Sequence, residues 1–283
     1  MIQSFDQAEP IVITAPTARN GITLIQRLFN SSGKILIYGE NRHFTEEVPT
    51  IVYQAYAMHS QQAAQAKAAM ERFKKEGSEF WSSSLFPDTM QYMAAMVESF
   101  GKLVMVYQRC AEQDGFAHWG IKHPFTSIGH LDRFITILPS GRYLYIYRNL
   151  YDVVRSAKAR KFIKNLNDVC AYTRRWTESV NTVLANKIDS LLTIKHEDLV
   201  ADPEHWISQM EQFTGITGLN RDVMNRKINT FKGPADLGYS PNEYIPPEPL
   251  TQDEIQTVQQ IAGPLLSQLG YEAPEPANCA CPA

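Results

Sequence analysis

The chain is 283 residues long, with 27 Lys or Arg against 30 Asp or Glu, a formal charge of −3, and 44% hydrophobic and 20% charged residues. That composition describes a globular protein with enough apolar mass for a sizeable core, and it excludes a disordered, fibrous or disulfide-scaffold chain. Without a long Lys/Arg run it has no means of neutralising the many phosphates of a nucleic-acid backbone, so an anion must be held by a few placed groups.

The first ten residues carry Asp6 and Glu9 and no charged-then-apolar signal pattern. No stretch of the chain approaches the roughly 18 apolar residues of a membrane span, so a cytoplasmic protein is expected. Pro10 to Thr14 is a β-branched run closed by Ala15-Pro16, and Thr23 to Phe29 places apolar residues at helical spacing. The helix stops near Asn30-Ser31-Ser32-Gly33, and Lys34 to Tyr38 resumes as a strand. This β-loop-α-β opening predicts a parallel sheet.

From Gln54 to Glu76 the Ala, Gln, Met and Lys content predicts a long helix, and Met90 to Val106 another, broken by Gly101, with Trp81-Ser82-Ser83-Ser84 as a loop between them. A strand is expected near Phe116 to Ile121, a helix over Ile128 to Leu138, and a strand over the aromatic run Tyr143 to Tyr147. Arg148 then turns the chain into a helix. Further helices are expected over Asp168 to Asn186, after Asp202-Pro203, and from Thr251-Gln252-Asp253-Glu254, a capping-box pattern; Leu191 to Lys195 reads as a strand. With no internal repeat and no clean linker, the expectation is one α/β domain over residues 1–283, with a core of about 10–272 and a flexible tail over 273–283.

Two strand-to-helix junctions carry anion chemistry. In the first, Ala15 to Leu24, unpaired amides at the helix start carry partial positive charge. Gly21 lets a ligand approach the backbone there, and Arg19 and Thr23 add donors. The general nucleotide pattern Gly-x-x-x-x-Gly-Lys-Ser/Thr is absent. In the second, Arg148, Asp152 and Ser156 are spaced by four, so Asp152 and Ser156 share a helix face. Arg148 offers a planar fork to a phosphate, Ser156 a hydroxyl, and Asp152 a carboxylate for the turn or the helix start.

These two segments in this order resemble the sulfotransferase family, whose sulfuryl donor is 3′-phosphoadenosine 5′-phosphosulfate (PAPS). The resemblance runs from about Pro10 to Glu272. It includes Arg175-Trp176, then Glu197-Asp198-Leu199 with Asp202-Pro203, and finally Leu250-Thr251 through Leu269-Gly270-Tyr271. It implies that Arg19, Asn20, Gly21, Ile22, Thr23 and Leu24 form the 5′-phosphosulfate loop and that Arg148 and Ser156 bind the 3′-phosphate. Lys232-Gly233 resembles the family's segment that closes over that phosphate, with Phe231 and Tyr239 nearby to shelter the adenine.

Two departures stand out. Ile22 occupies a place where a hydroxyl residue is common, and His196 one where an aromatic is usual. Arg19 in place of a Lys resembles the branch that includes tyrosylprotein and carbohydrate sulfotransferases, and so does Gly39-Glu40.

Sulfuryl transfer needs a base for the acceptor hydroxyl and cations for the departing phosphate. The resemblance implies Glu40 as base and Lys122 and Arg19 as stabilisers, with His123 as the second candidate base. The bland alternative for Glu40 is a surface carboxylate satisfied by Arg42. A P-loop kinase or nucleotide-binding protein, and a catalytically degenerate scaffold that still binds adenosine 3′,5′-diphosphate, are the rival readings.

His118, His123 and His130 fit neither His-Glu-x-x-His nor any closed ligand set, so no metal is expected. Cys110, Cys170, Cys279 and Cys281 are too scattered for a disulfide framework. The expected partner is a small-molecule, sugar or peptide hydroxyl acceptor, lying under residues 45–100 and 236–247; a homodimer stays open.

Overall fold

The β-branched and aromatic runs form five strands: β1 (Ile11–Thr14), β2 (Ile35–Tyr38), β3 (His118–Lys122), β4 (Arg142–Tyr147) and β5 (Leu191–Lys195). All neighbours are parallel, in the order β2-β3-β1-β4-β5. The computed structural model describes residues 8–125, 127–225 and 245–276; Phe231, Lys232, Gly233, Tyr239, Cys279 and Cys281, and most of the 236–247 segment, lie outside them.

The helices are α1 (Ile22–Ser31), α2 (Val48–Glu76), α3 (Thr89–Gln113), α4 (Ile128–Ile137), α5 (Leu150–Ala159), α6 (Leu166–Ala185), α7 (His196–Ala201), α8 (Pro203–Thr214) and α9 (Gln252–Gln268). Parallel strands cannot be joined by tight turns, so α1 to α6 lie between strands and α7 to α9 follow β5 among the described residues. The sheet, flanked by these helices, makes one α/β domain.

With helices on both faces, strand residues are buried on both sides. Val12, Tyr143, Tyr145 and Tyr147 join the larger core with Phe134, Trp176 and Val258. Ile11, Ile13, Leu144 and Ile146 point the other way and pack with Ile25, Phe29 and Ile207. The period-two alternation along β1 and β4 therefore serves two apolar clusters, each fully buried large side chain contributing about 1.5–3 kcal/mol. Gly120 in β3 is fixed by this packing, since a Cβ there would lie 2.2 Å from the Ile11 carbonyl oxygen of β1.

Several boundaries differ from the sequence expectation. The second helical region starts earlier, because a π-helical turn over His43–Glu47 runs straight into α2, with Pro49 tolerated in its first turn. α3 does not break at Gly101. That glycine is buried beside Phe100, Val97 and Val104, whose packing outweighs a cost of about 1 kcal/mol for glycine in a helix. α7 was not foreseen. The capping box at Thr251 and Glu254 is present in both directions.

The chain leaves β1 through α1 on one face of the sheet, and the crossovers to β3 and β4, through α2, α3 and α4, lie on the other, so the direction of strand order reverses beside β1. Such a switch point leaves a crevice at the carboxyl ends of the strands. Thr14, Tyr38, Lys122 and Tyr147 are the strand-terminal residues there.

Candidate active site

The loop from Ala15 to Gly21 is held from inside. The buried Asn20 donates its amide N–H to the Thr17 carbonyl and hydroxyl, each at 2.9 Å. Its Oδ1 accepts from the Arg148 backbone N–H at 3.0 Å and from the Trp176 indole N–H at 3.3 Å. Tyr172 adds a bond from its hydroxyl to the Ala18 carbonyl at 2.8 Å, and burial pushes that phenol up to about 12. The Asn20 side chain is thus consumed in tying β1, β4 and α6 together, and only its backbone remains for a ligand.

The loop then turns left-handed twice, at Arg19 with φ 73° and at Gly21 with φ 107°. A Cβ on Gly21 would lie 2.8 Å from His196 Cδ2, so both backbone conformation and space require glycine. Gly21 caps α1 without a side chain, which leaves the first-turn amides facing the crevice.

Ile22 turns inward. Its side chain is 4% exposed and packs with the core of α1, so a hydroxyl at this position would have been buried among apolar groups. Thr23 is exposed at the crevice, and Leu24 packs partly on the same core as Ile22.

Arg19 brings the two anion segments together: its Nε donates to Ser156 Oγ on α5 at 3.1 Å. Burial first, then the neighbouring guanidiniums of Arg160 and Arg148, lower the Arg19 pKa. Arg148 pairs with Asp152 at 2.9 Å, and Arg155 approaches the other carboxylate oxygen at 3.4 Å. The helix cap falls to Asn149 instead, which accepts from the Tyr151 N–H. The Arg148 Nε is buried and without a partner among the described residues, an unpaired donor beside two other cations.

In the same crevice, Lys122 Nζ lies 3.4 Å from Glu40 Oε1 and 3.4 Å from Thr23 Oγ1. Glu40 is therefore not satisfied by Arg42, which pairs with Glu46 at 3.2 Å and Glu47 at 3.8 Å. His123 does not join this group. Its Nε2 meets Glu46 Oε1 at 3.2 Å, and both side chains are buried, under Phe125 and beside His130.

The remaining motifs brace this arrangement. Glu197 accepts from the Asn149 backbone N–H at 2.9 Å and from the Tyr271 hydroxyl at 2.8 Å. Arg160, Tyr172 and Glu46 escaped the sequence reading, yet two left a signal there. Arg160 extends the four-residue spacing of Arg148, Asp152 and Ser156, and Tyr172 lies one helical turn before Trp176. Among the described residues no set of three His, Cys, Asp or Glu side chains is arranged for a metal ion, and no helix is long and apolar enough to cross a membrane.

Fold and site define an α/β protein with a cationic crevice at the carboxyl edge of a parallel sheet. Residues 10–220 match the model of the Sulfotransferase family, and the chain belongs to that family. Among solved structures, the sulfotransferase domain from the Synechococcus PCC 7002 olefin synthase superposes with a TM-score of 0.50 at 15% identity, covering 97% of this chain and 99% of that one. The sulfotransferase domain from the curacin biosynthetic pathway gives 0.51 at 17%, covering 95% and 100%. At these identities the likeness is one of fold. No curated protein matches the chain in sequence.

Proposed function

We propose that the protein transfers a sulfuryl group from PAPS to a hydroxyl acceptor, with Glu40 as general base. The observation that carries this reading is the Glu40–Lys122–Thr23 group at the mouth of the first loop, next to the guanidinium cluster of Arg19, Arg148 and Arg160. A carboxylate and an ammonium at one edge of an anion site are the two groups that sulfuryl transfer requires.

The residues present fit a doubly phosphorylated nucleotide. The uncapped amides of α1 and Arg19 suit the 5′ side. Arg148, with its unpaired buried Nε, suits the 3′-phosphate together with Ser156. In the reaction, Glu40 takes the acceptor's hydroxyl proton as the acceptor oxygen bonds to sulfur. Lys122 and Arg19 receive the charge that develops as the bond from sulfur to the 5′-phosphate oxygen breaks and its electron pair leaves with that oxygen. The products are a sulfate ester, adenosine 3′,5′-diphosphate and a protonated Glu40. Lys122 also orients the carboxylate before the acceptor arrives.

The degenerate-scaffold alternative drew on Ile22, whose side chain belongs to the core and takes no hydroxyl away from the crevice. The kinase alternative has no Lys-Ser/Thr pair in its loop. The test is sulfuryl transfer from labelled PAPS to a panel of phenols and sugars by the wild type and by Glu40→Ala, with thermal shifts for adenosine 3′,5′-diphosphate against ATP and Mg²⁺. Stabilisation by the bisphosphate alone and loss of turnover in the variant are expected. Stabilisation by ATP and Mg²⁺ alone, or equal turnover in Glu40→Ala, overturns the reading.

A further inference from the structure

We propose that His196 is a contact residue of the nucleotide site and takes up a proton when a phosphate group binds between Gly21 and Arg148, which makes nucleotide affinity depend on pH. The inference rests on the nucleotide-donor reading above and adds to it a residue and a coupled proton.

The geometry places the imidazole at the seam between the two anion segments. His196 opens α7 directly after β5, and its ring packs against the left-handed turn of the first loop. A Cβ on Gly21 would lie 2.8 Å from its Cδ2 and 3.6 Å from its Nε2. From β4 the same Gly21 position meets Ile146 at 3.2 Å, so the ring and this side chain flank the glycine together. Neither ring nitrogen makes a hydrogen bond among the described residues, although the ring is largely enclosed.

Three charged groups face the ring: Arg148 from the end of β4, Asp152 from α5 and Glu197 from α7 itself. Gly21 and Ile146, which pack closest, do not titrate. Burial first, and then the Arg148 guanidinium, hold the imidazole neutral in the free protein, with its pKa lowered to about 4; Glu197 and Asp152 oppose this and are outweighed. Asp152 is itself tied to Arg148 at 2.9 Å and approached by Arg155 at 3.4 Å, so much of its charge is already answered.

A bound phosphate reverses this balance. It neutralises Arg148, the neighbour that disfavours an imidazolium, and adds negative charge and acceptor oxygens beside a ring whose nitrogens lack partners. The protonated ring then donates to the phosphate. By linkage, a group protonated more in the complex than in the free protein makes binding tighter as pH falls. A tyrosine in this place would hold its proton throughout, so the coupling belongs to histidine.

The experiment is titration calorimetry with adenosine 3′,5′-diphosphate, for wild type and His196→Gln, in buffers of different ionisation enthalpy. At about pH 5.5 the wild type should take up close to one more proton per nucleotide than the variant. Its affinity relative to the variant should fall by up to about tenfold from pH 5 to pH 6. The variant also cancels the titration of the phosphate itself, which is common to both proteins.

Equal proton counts with the nucleotide bound overturn the role of His196 and leave the donor reading standing. Absence of any binding by the wild type overturns the donor reading and this inference with it. Should His196→Gln fail to fold, the imidazole Cε1–H resonances of the wild type decide. One histidine should titrate well below the others in the free protein and move upward with nucleotide, and a set of midpoints that nucleotide leaves unchanged overturns the proposal.

Discussion

Arg19 Nε donates to Ser156 Oγ at 3.1 Å, joining the first loop to helix α5 across 137 positions of sequence. The bond aims a guanidinium that is held on a left-handed backbone and crowded by Arg148 and Arg160. Ser156→Ala removes the aim and keeps the charge. Nucleotide binding, measured by calorimetry with adenosine 3′,5′-diphosphate, should weaken about tenfold, a loss in the range of one hydrogen bond to a charged group. The melting temperature should barely move.

Glu40 and Lys122 separate by which kinetic parameter responds. Glu40→Gln should lower kcat by ~10²–10⁴-fold, the usual contribution of a general base, with nucleotide affinity retained. Lys122→Ala should lower kcat as well and weaken the donor's KM, since one ammonium serves Glu40, Thr23 and the crevice. Steady-state kinetics with PAPS and a working acceptor checks both; equal KM changes in the two variants would contradict this division.

Asn20→Ala should be costly to the fold itself. It strands the buried Trp176 indole N–H and the Arg148 backbone N–H, and it releases Thr17. Chemical denaturation should show a loss of about 2–4 kcal/mol, the cost of unsatisfied buried donors. Trp176→Phe removes the indole donor itself and strands no N–H, since Asn20 Oδ1 keeps the Arg148 amide, so beyond the cost of lost ring volume its hydrogen-bond loss should be the smaller.

Gly21→Ala tests the seam between the first loop and α7. The substitution forces a Cβ to 2.8 Å from His196 and onto a backbone with φ 107°. A destabilisation of about 1–3 kcal/mol is expected with a larger proportional loss of nucleotide binding. Pairing it with His196→Ala should return part of the stability, because that ring is the nearest obstacle.

Stability without ligand should also report His196. Its pKa in the folded chain is about 4, below the ordinary value of 6.5, so the unfolded chain binds more protons between the two. Stability is therefore fully present above about pH 6.5 and is lost as pH falls toward 4, on the order of 2–3 kcal/mol across the interval. His196→Gln should flatten that slope in urea denaturation curves taken at successive pH values.

What the sequence showed and what it hid divide along physical lines. β4, β5 and the capping box of α9 are written in local residue order: aromatic alternation, a β-branched run, and a threonine three residues before a glutamate. The Arg148–Asp152–Ser156 spacing is equally local. Ile22 read as a missing hydroxyl because nothing in a one-dimensional list says that its side chain points into the core. Glu40 had Arg42 two residues away, yet its partner is Lys122, 82 positions on, delivered by the parallel pairing of β2 with β3. Gly101 looked like a helix breaker until the neighbours that bury it were in place. His123 lay next to Lys122 in sequence and still faces a different set of groups, since its ring is claimed by the buried Glu46.

Tyr271 follows α9 and reaches back to Glu197, which in turn holds the amide of Asn149 at the start of α5. During synthesis this latch becomes available only after α9 has emerged. Until the segment around residue 271 has docked, Glu197 lacks the bond from Tyr271 that braces its hold on the Asn149 amide, although Asn20 and Asp152 already hold Arg148. A nascent chain arrested before that point should carry its sheet and the first loop but hold the start of α5 less firmly, so the finish of the second anion segment waits on a residue more than a hundred positions downstream.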